Sequence, residues 1–598
     1  MKKVFKYITI GILALGAVSC KKSFIDLRPT AQFTDAVYFR QPGDFKTYAT
    51  GFYGQLPGWD FGSMDNNSDL SANTNTNGYD IGHGTIATST SANWNYSGIR
   101  SCNILLSKAA AYTGSGDLSE YVGEAYFFRA FAYFNLLKTY GGVPIVTKAL
   151  DVTSPELFAA RNSRYEVVKQ ILDDLDNAIP KLPTEQTIPA SDKGRISKWA
   201  AEAVKADVEL YEATWEKYVG QEPDGDGTTV GAGKSGYDPG NINKYLTDAV
   251  ALCKDIMDNG GYSIWNKNSV PSMANASSWY LFNLEDAGSN PGGFDKSTNS
   301  EFILYNVYDY TLKKGGKNIT WTTWQLYPSR KFVDMAVCKD GLPPDKSPLF
   351  QGYHKAGDEF KNRDLRLINY LYGNGAAPAA GSVTLDFGGL GSSGYGNSKY
   401  AVYGYGSRRT DNTESANYPI IRLAEVYLMY AEALVELNGS ITDAQLDASI
   451  NKLRDRAGVA HLTNALATAN GLDMKEEIRR ERAVELYREG KRFDDLKRWG
   501  ILESSLNPSR LGMVVGGATY STDFKTASSA GKDSVIAAKY KPSSYVFGEE
   551  ATETPAGELN CVVVDSKQNH SVTKKDYLYP IPVTQISLNP KLLQNPGY

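Results

Sequence analysis

The sequence has few cysteines and histidines for a chain of 598 residues. Four cysteines follow Cys20 and are scattered, with no CxxC pair: Cys102, Cys253, Cys338 and Cys561. This spacing argues against a disulfide framework or a zinc site, so buried free thiols are expected. The histidines are too dispersed along the chain for an HExxH-type site. They are His83, His354, His461 and His570. We therefore predict no metal and no cofactor.

Neither sign of charge dominates, with 63 Lys and Arg against 67 Asp and Glu. A chain with this balance has no overall excess of positive charge with which to bind nucleic acid, so no nucleic-acid partner is expected. The composition is 42% hydrophobic and 22% charged, which excludes a disordered or collagen-like chain. Aromatic residues are abundant instead, with 39 Tyr, 22 Phe and 9 Trp, and this excess needs an explanation.

The N-terminus has the pattern of a bacterial lipoprotein signal. Three lysines precede the apolar run Ile8 to Val18, which is shorter than the roughly 20 residues of a membrane-spanning helix. Small residues then lead to Cys20, whose thiol would carry the lipid after removal of residues 1–19. Ala17 departs from this pattern, because such signals more often have Leu three residues before the Cys. The alternative is an ordinary secreted protein with an incidental cysteine.

Helical periodicity predominates in several blocks of the chain. The predicted helices are Glu120 to Tyr140, Tyr165 to Ala178, Ser197 to Tyr218, Ile242 to Asn259, Ile421 to Leu437, Thr442 to Ala457 and Asp473 to Trp499, the last interrupted near Gly490. Helices of this length joined by turns predict a mainly α fold with degenerate tetratricopeptide-type repeats, because no strict period of about 34 residues is visible.

The segments between the helical blocks differ from them in composition and pattern. Gly-rich loops are predicted at 220–240 and 373–396, and strand-like segments at Asn299 to Tyr310 and Ser398 to Tyr405. Long irregular segments on a helical frame are commonly functional, and here they are rich in aromatic residues. We divide the mature chain into an N-terminal region, 20–220, with repeat helices and a C-terminal region, 221–598, with binding loops and the late helices.

The most charged stretch, Lys475 to Arg498, holds 9 basic and 7 acidic residues at spacings that interleave the two signs on a helix. This pattern predicts a salt-bridged structural helix pair. The sequence contains no GxSxG nucleophile elbow. A two-carboxylate glycosidase site stays open, because its members can be far apart in sequence, but no feature favours it. The motifs alone therefore favour no catalytic function.

Four segments resemble the SusD/RagB family of outer-membrane nutrient-binding lipoproteins of Bacteroidetes. They are Ser23 to Pro29 after the lipid-accepting Cys; FFRAFAYFNLLKTYGGVP within Tyr126 to Pro144; the pair YPIIRLAEVYLMYAEALVELNG (Tyr418 to Gly439) and IRRERAVELYREGKRFDDLKRWG (Ile478 to Gly500); and YLYPIPVTQISLNPKLLQNPGY at the C-terminus. Together they extend over essentially the whole mature chain and occur in the family's order.

The resemblance implies a tetratricopeptide-like helical scaffold on which irregular loops and small strands build a ligand surface. It further implies a lipid-anchored protein at the outer membrane that faces the exterior. Such a protein is not an enzyme: it captures oligosaccharide or polysaccharide and acts as the lid of a SusC-like TonB-dependent barrel. Lys21 and Lys22 depart from the family's pattern, since surface-displayed members often carry acidic residues soon after the Cys.

Sugars expose apolar C–H faces and polar edges, so their sites combine aromatic platforms with Asp, Asn, Arg or Tyr groups. The predicted loops offer such candidates: Trp59, Asp65, Asn66, Trp94, Trp279, Trp321, Trp324, Tyr403 and Arg408. Each has a structural alternative, because the aromatic rings can be core residues and the polar side chains can cap turns. A peptide-binding RagB-like protein and a repeat scaffold that binds only proteins stay open as alternative functions.

Overall fold

The structure is a computed structural model that describes residues 38–59, 64–72, 81–84, 86–89, 93–225, 229–315, 319–323, 326–352, 358–371, 393–404, 407–410, 412–514 and 561–598. Cys20, Trp324 and the predicted signal segment lie outside these residues. The long helices are α1 (Pro42–Thr50), α2 (Ser97–Ala110), α3 (Ser119–Tyr140), α4 (Arg164–Ala178), α5 (Lys198–Tyr218) and α6 (Asn241–Asn259).

Further helices, most of them shorter, and two small sheets follow. The helices are α7 (Ser277–Tyr280), α8 (Ile319–Thr323), α9 (Arg330–Met335), α10 (Leu365–Tyr370), α11 (Leu423–Asn438), α12 (Asp443–Ala448), α13 (Ile450–Ala457), α14 (Asn464–Asn470), α15 (Met474–Glu485), α16 (Arg492–Arg498), α17 (Leu502–Leu506) and α18 (Val583–Leu588). The strands are β1 (Phe302–Asn306), β2 (Tyr418–Arg422), β3 (Arg510–Val514) and β4 (Cys561–Asp565).

Helices that follow one another in the chain pack side by side and form the scaffold. α2 packs on α3, α3 on α4, α5 on α6, and α11 joins the row through α6 and α15. This arrangement is the degenerate tetratricopeptide-like scaffold that the helical pattern predicts, because each helix pair buries its apolar face only against its neighbours. No helix among the described residues is both long and apolar enough to cross a membrane.

Helix α3 lies at the centre of this scaffold and is buried on nearly every side. It ends at Gly141, whose φ of 73° is in the left-handed region. A Cβ at this position would lie 1.9 Å from Asp224 Oδ1, so only glycine allows this close approach. The neighbouring helix α4 begins with a capping box, in which Ser163 accepts a hydrogen bond from the Glu166 backbone N–H.

Two predicted helices are broken where the backbone leaves the helical region. The segment predicted at Thr442 to Ala457 is two helices, α12 and α13, because Ser449 between them has φ −131° and ψ −95°. The predicted interruption near Gly490 is confirmed. Between α15 and α16, Arg488 and Gly490 adopt φ values of 61° and 74°.

The strand predicted within Asn299 to Tyr310 is confirmed as β1, which pairs antiparallel with β2. Helix α11 accordingly begins at Leu423, two residues later than predicted, since β2 occupies the positions before it. The strand predicted at Ser398 to Tyr405 is wrong for the described positions up to Gly404, which form turns. In this segment Tyr400 has a φ of 77°, which is incompatible with an extended strand.

A second hydrophobic core lies under the loops, apart from the core of the helical scaffold. It contains many aromatic residues, among them Trp59, Trp265, Trp279, Tyr280, Phe282, Phe332, Tyr370, Tyr395, Tyr400 and Tyr487. This second core accounts for much of the aromatic excess, because irregular loops need apolar anchors to be held in one arrangement. Cys102, Cys253 and Cys338 are buried free thiols, as predicted.

The charged stretch forms the predicted salt-bridged helices, and its ion pairs extend to distant segments. Glu485 at the end of α15 accepts from Arg366 of α10, Arg422 of β2 and Arg456 of α13. Glu301, just before β1, pairs with Arg422 and Arg456. This network fixes the β1–β2 ribbon against the scaffold. The proposed division of the chain at residue 220 stays a prediction.

Candidate functional site

Two of the predicted platforms, Trp59 and Trp279, are core residues with only 4% and 3% of their surface exposed. The indole N–H of Trp59 donates to the Ala416 carbonyl at 3.0 Å, and that of Trp279 donates to the Ser398 carbonyl at 2.8 Å. A sugar needs an open ring face, which neither indole offers. The two residues anchor the loops to the second core instead of facing solvent.

Asp65 and Asn66 hold the bend between α15 and α16. The carboxylate of Asp65 accepts the backbone N–H groups of Gly490 at 3.2 Å and Arg492 at 2.9 Å. Burial raises the pKa of this carboxyl to about 6. The side-chain oxygen of Asn66 accepts a hydrogen bond from Arg488. The carboxylate of Asp65 therefore serves the backbone of this bend, as the structural alternative for these polar side chains expects, and glycan binding by Asp65 stays a prediction.

Trp94 is half-buried and packs on the helical scaffold, with its ring in edge contact with Tyr140 at 5.1 Å between centroids. It lines a groove of about 560 Å³ together with the apolar side chains of Leu157, Phe158 and Leu588. The structure does not bring Trp94 together with the candidates of the second core. The side chain of Trp321 and all of Trp324 are outside the described part of the chain.

Tyr403 and Arg408 flank one turn at the edge of the second core, in which the Arg408 backbone N–H donates to the Gly404 carbonyl at 2.8 Å. Tyr403 is half-buried and lies 5.8 Å from the ring of Tyr280. Arg408 and its neighbour Arg409 form ion pairs with Glu285 at 3.0 and 2.6 Å. Both arginines therefore have fixed positions, which a hydrogen-bonding surface for a flexible ligand requires.

Asp286 and Tyr310 complete this surface. The carboxylate of Asp286 pairs with both arginines, and its side chain is still 53% exposed. Although partial burial acts in the opposite direction, the two guanidinium groups lower the pKa of Asp286, so it is ionised at neutral pH. Tyr310 is 48% exposed, and the Arg409 guanidinium lies 4.9 Å from its ring centre. We call Asp286, Tyr310, Tyr403, Arg408 and Arg409 the tyrosine–arginine rim.

A pocket of about 260 Å³ adjoins the rim. It is lined by aromatic, amide and charged side chains, among them Tyr262, Tyr305, Lys296, Asn299 and Asn417. We call it the β1 pocket, because Tyr305 belongs to β1 and Asn417 precedes β2.

Lys296 links the β1 pocket to the rim. Its ammonium group donates to the Tyr308 carbonyl at 2.6 Å, two residues before Tyr310. Burial lowers the pKa of Lys296, while Glu285, Asp309 and Asp286 oppose that shift. Asn417 accepts from the Tyr308 backbone N–H at 3.0 Å, so the pocket wall and the rim share one piece of backbone.

The β1 pocket was not found by sequence reasoning, which searched for Trp in Asn- and Gly-rich loops. The useful signal was in the strand prediction itself. The segment predicted as a strand, Asn299 to Tyr310, contains both Tyr305, which lines the pocket, and the exposed Tyr310 of the rim. Tyr262 and Asn417 are brought to the pocket from distant parts of the chain, which no local pattern reveals.

A further cleft, of about 570 Å³, lies between α9, α15 and β3. Its charged side chains form ion pairs as those of the rim do, such as Arg492 with Asp69 at 2.8 Å and Arg330 with Glu359 at 2.6 Å, but the aromatic ring in its lining, Trp499, is only 2% exposed. The β1 pocket with its rim is therefore the better candidate, since it combines ring surfaces with polar groups at an open edge. Fold and site together define a helical repeat scaffold with a polar, tyrosine-rich surface on its loops.

Comparison with known proteins places the chain in a family. The model of the SusD family matches residues 263–598, which is more than half of the chain, and a second model, described as starch-binding associating with outer membrane, matches residues 59–210. The chain belongs to the SusD family.

Curated relatives and solved structures are similar over most of their length. A SusD-like protein of Formosa agariphila is 25% identical over 84% of this chain and 90% of its own, and one of Bacteroides ovatus is 24% identical over 83% and 82%. A solved SusD-like carbohydrate binding protein from Bacteroides fragilis has a TM-score of 0.67 at 23% identity, covering 93% of this chain and 99% of its own. A laminarin binding SusD-like protein has a TM-score of 0.52 at 18% identity over the same shares.

Proposed function

We propose that this protein is a cell-surface lipoprotein that captures oligosaccharide and delivers it to a SusC-like TonB-dependent transporter in the outer membrane. The observation that carries the binding step is the β1 pocket beside the tyrosine–arginine rim. Tyrosine rings there lie next to amide, ammonium, guanidinium and carboxylate groups. The names of the relatives, which refer to carbohydrate, laminarin and starch, support a glycan as the cargo.

The rim suits capture rather than catalysis. Asp286 is ionised and paired with Arg408 and Arg409, so it is poorly placed to donate a proton to a leaving group. Its exposed oxygen surface can instead accept hydrogen bonds from sugar hydroxyls, and the arginines can donate them. Two or three aromatic contacts of about 0.5–1.5 kcal/mol each, offset by the cost of ordering the ligand, give micromolar to millimolar affinity.

Loss of one tyrosine ring is expected to weaken glycan binding measurably. Tyr310→Ala and Tyr305→Ala should each raise the Kd for the bound oligosaccharide about three- to tenfold in calorimetry, because each removes one ring surface worth about 1 kcal/mol. A panel of laminarin-type and starch-type oligosaccharides identifies the ligand, and a peptide panel tests the alternative cargo.

Tyr237→Ala is the matched control for these variants. Tyr237 is also a partly exposed tyrosine, and it packs on Tyr165 at 4.9 Å, in a loop next to α4. Its replacement should leave the Kd unchanged. Equal losses in all three variants, or unchanged binding in Tyr305→Ala and Tyr310→Ala, would contradict the site. Release of reducing sugar by the purified protein would contradict the non-enzymatic function.

The delivery step rests on the lipid anchor and on a barrel partner. We expect Cys20→Ser to abolish incorporation of labelled palmitate and to release the protein from outer-membrane fractions. Purification of the native protein from detergent-solubilised outer membranes should co-purify a large β-barrel protein. Recovery of this chain always alone would contradict the transporter partnership and would leave the glycan-binding test unaffected.

A further inference from the structure

Three side chains with metal-ligating atoms meet at one end of the β3–β4 sheet. They are His83, the last residue of a short 3₁₀-helix (Ile81–His83), Asp565, the last residue of β4, and His570. Asp565 Oδ2 lies 2.7 Å from His83 Nε2 and 3.0 Å from His570 Nε2. His83 and Asp565 are 482 positions apart in sequence, so spacing along the chain could not indicate this group.

The two segments that carry these ligands are fixed to each other by their backbones. The Ser571 backbone N–H donates to the Gly82 carbonyl at 3.0 Å, and the Ser571 hydroxyl donates to the His83 carbonyl at 2.9 Å. Gly84, with φ 62°, allows this approach, because a Cβ there would lie 2.7 Å from Ser571 Oγ. The cluster is thus held by the fold and does not depend on its own side-chain contacts.

Neighbouring groups orient the ligand atoms toward one point. The Asn569 amide donates to Asp565 Oδ1 at 2.9 Å, which leaves Oδ2 for the two imidazoles. His570 Nδ1 faces the carbonyl oxygens of Pro508 at 3.0 Å and Asn507 at 3.3 Å. A nitrogen that faces carbonyl oxygens carries the ring hydrogen, which assigns the neutral ring an unprotonated Nε2.

Both imidazoles turn Nε2 toward the same carboxylate oxygen, Asp565 Oδ2, at 2.7 and 3.0 Å. The three ligand atoms therefore converge on one place where they can share a cation. Hydrogen bonding of the remote imidazole nitrogen to a carbonyl, and of the free carboxylate oxygen to an amide, is also how proteins orient metal ligands.

We infer that His83, Asp565 and His570 form a binding site for a divalent transition-metal ion of the Zn²⁺ type. Two imidazole nitrogens and one carboxylate oxygen suit zinc, whereas Ca²⁺ and Mg²⁺ prefer oxygen ligands alone. Zinc bonds of about 2.0–2.2 Å put tetrahedral ligand atoms about 3.3–3.5 Å apart, so the ligand atoms must separate by less than about 1 Å. The side chain of His83 is 32% exposed, which gives an ion a path of entry and a place for a water ligand.

The site would connect the N-terminal segment around His83 to the C-terminal sheet. This inference is independent of glycan binding and departs from the prediction that the chain has no metal site. That prediction considered only histidines close in sequence.

Zinc titration of the metal-free protein tests the site. The protein is purified with an affinity tag that contains no histidine, treated with EDTA and titrated with ZnCl₂ in calorimetry, with metal content measured by mass spectrometry. We expect one Zn²⁺ per chain and a raised Tm on zinc binding. His83→Ala should abolish the stoichiometric binding, and Asn569→Ala, which removes only the orienting amide, should weaken it about 10- to 100-fold.

His461→Ala is the matched control. His461 also lies between two carboxylates, with Nε2 2.8 Å from Asp455 and Nδ1 3.4 Å from Asp447, but all three side chains are about half exposed. Its replacement should leave zinc binding unchanged. An absence of stoichiometric zinc in the native protein, or binding that survives in His83→Ala, overturns the proposal, as does equal loss in His461→Ala. If His83→Ala fails to fold, anomalous diffraction at the zinc edge from native crystals decides between a peak at this cluster and none.

Discussion

Replacing Glu485 with alanine is expected to lower the free energy of unfolding by about 3–5 kcal/mol, since it leaves buried cations without their counter-charge. The guanidinium groups of Arg366, Arg422 and Arg456 lie 2.5 to 2.7 Å from the two carboxylate oxygens of Glu485. All four side chains are at most 1% exposed. Although burial opposes it, the three arginines hold the pKa of Glu485 well below its usual range.

The comparison that isolates this effect uses a second glutamate of the same helix. Glu476 in α15 pairs with Arg479 at 3.2 Å, but its side chain is 58% exposed. Glu476→Ala should change stability by at most about 0.5 kcal/mol, because solvent screens the exposed carboxylate and Arg479 keeps its buried partner Glu436 at 3.2 Å. Urea unfolding of the two variants and the native protein measures the difference. Similar losses of unfolding free energy in both variants would show that the buried network stabilises the fold no more than an exposed ion pair does.

The same substitution should also weaken glycan capture. Arg422 is the last residue of β2, and its guanidinium reaches Glu485 and Glu489 in and just after α15. The loss of Glu485 therefore loosens the β1–β2 ribbon that carries Tyr305 and places Asn417 in the β1 pocket. A rise in Kd that accompanies the fall in stability would connect the network to the site.

The helical scaffold was predictable because its determinants are local. The block Glu120 to Tyr140 has helical periodicity, and Gly141 marks its end. The observed helix α3 begins one residue earlier than predicted and ends at the predicted residue. Interleaved charges in Lys475 to Arg498 likewise predicted ion pairs. The partner Arg366 of Glu485 could not be predicted, because pairing across 119 positions depends on the tertiary fold.

The candidate site was predictable only in part, for a physical reason. Trp59 and Trp279 stand in polar loops, where an aromatic ring suggests an exposed platform. Irregular loops, however, bury little apolar surface of their own, so their largest side chains anchor them to a core. Tyrosine can do both, since its ring packs while its hydroxyl stays near water. Tyr403 and Arg408 are half-buried at the edge of the second core, and Glu285, the acidic partner of Arg408, comes from over 120 positions away.

A second large effect is expected from pH, through Glu209 in α5. Its side chain is fully buried, and among the described residues its carboxylate oxygens have no hydrogen-bond partner. The ammonium of Lys205 approaches only to 3.9 Å and is closer to Asp176, at 2.6 Å. Burial raises the pKa of Glu209 to about 8. The negative charges of Asp248 and Asp176 add to this shift, and the positive charge of Lys205 opposes it.

A raised pKa in the folded state means that the folded protein keeps a proton which the unfolded chain releases. The stability from neutral Glu209 is fully present below pH 4.5, the ordinary value, and is lost as the pH rises toward about 8. Glu209→Gln cannot ionise. We expect it to match the native protein within about 0.5 kcal/mol at pH 4.5 and to exceed its stability by about 2 kcal/mol or more at pH 8, since each pKa unit corresponds to about 1.4 kcal/mol.

Differences between variant and native protein are needed here, because other buried carboxyls titrate in the same interval. The pKa of Glu124 is raised to about 7, and that of Glu216 to about 8, mainly by burial. Both carboxyls are present in Glu209→Gln and in the native protein, so their contributions to the pH dependence of stability cancel in the difference between the two proteins. Asp258→Asn, which removes half of an exposed pair with Lys254 on α6, should show no such pH-dependent gain. A constant offset between Glu209→Gln and native protein from pH 4.5 to 8 would mean that Glu209 is already ionised in the fold.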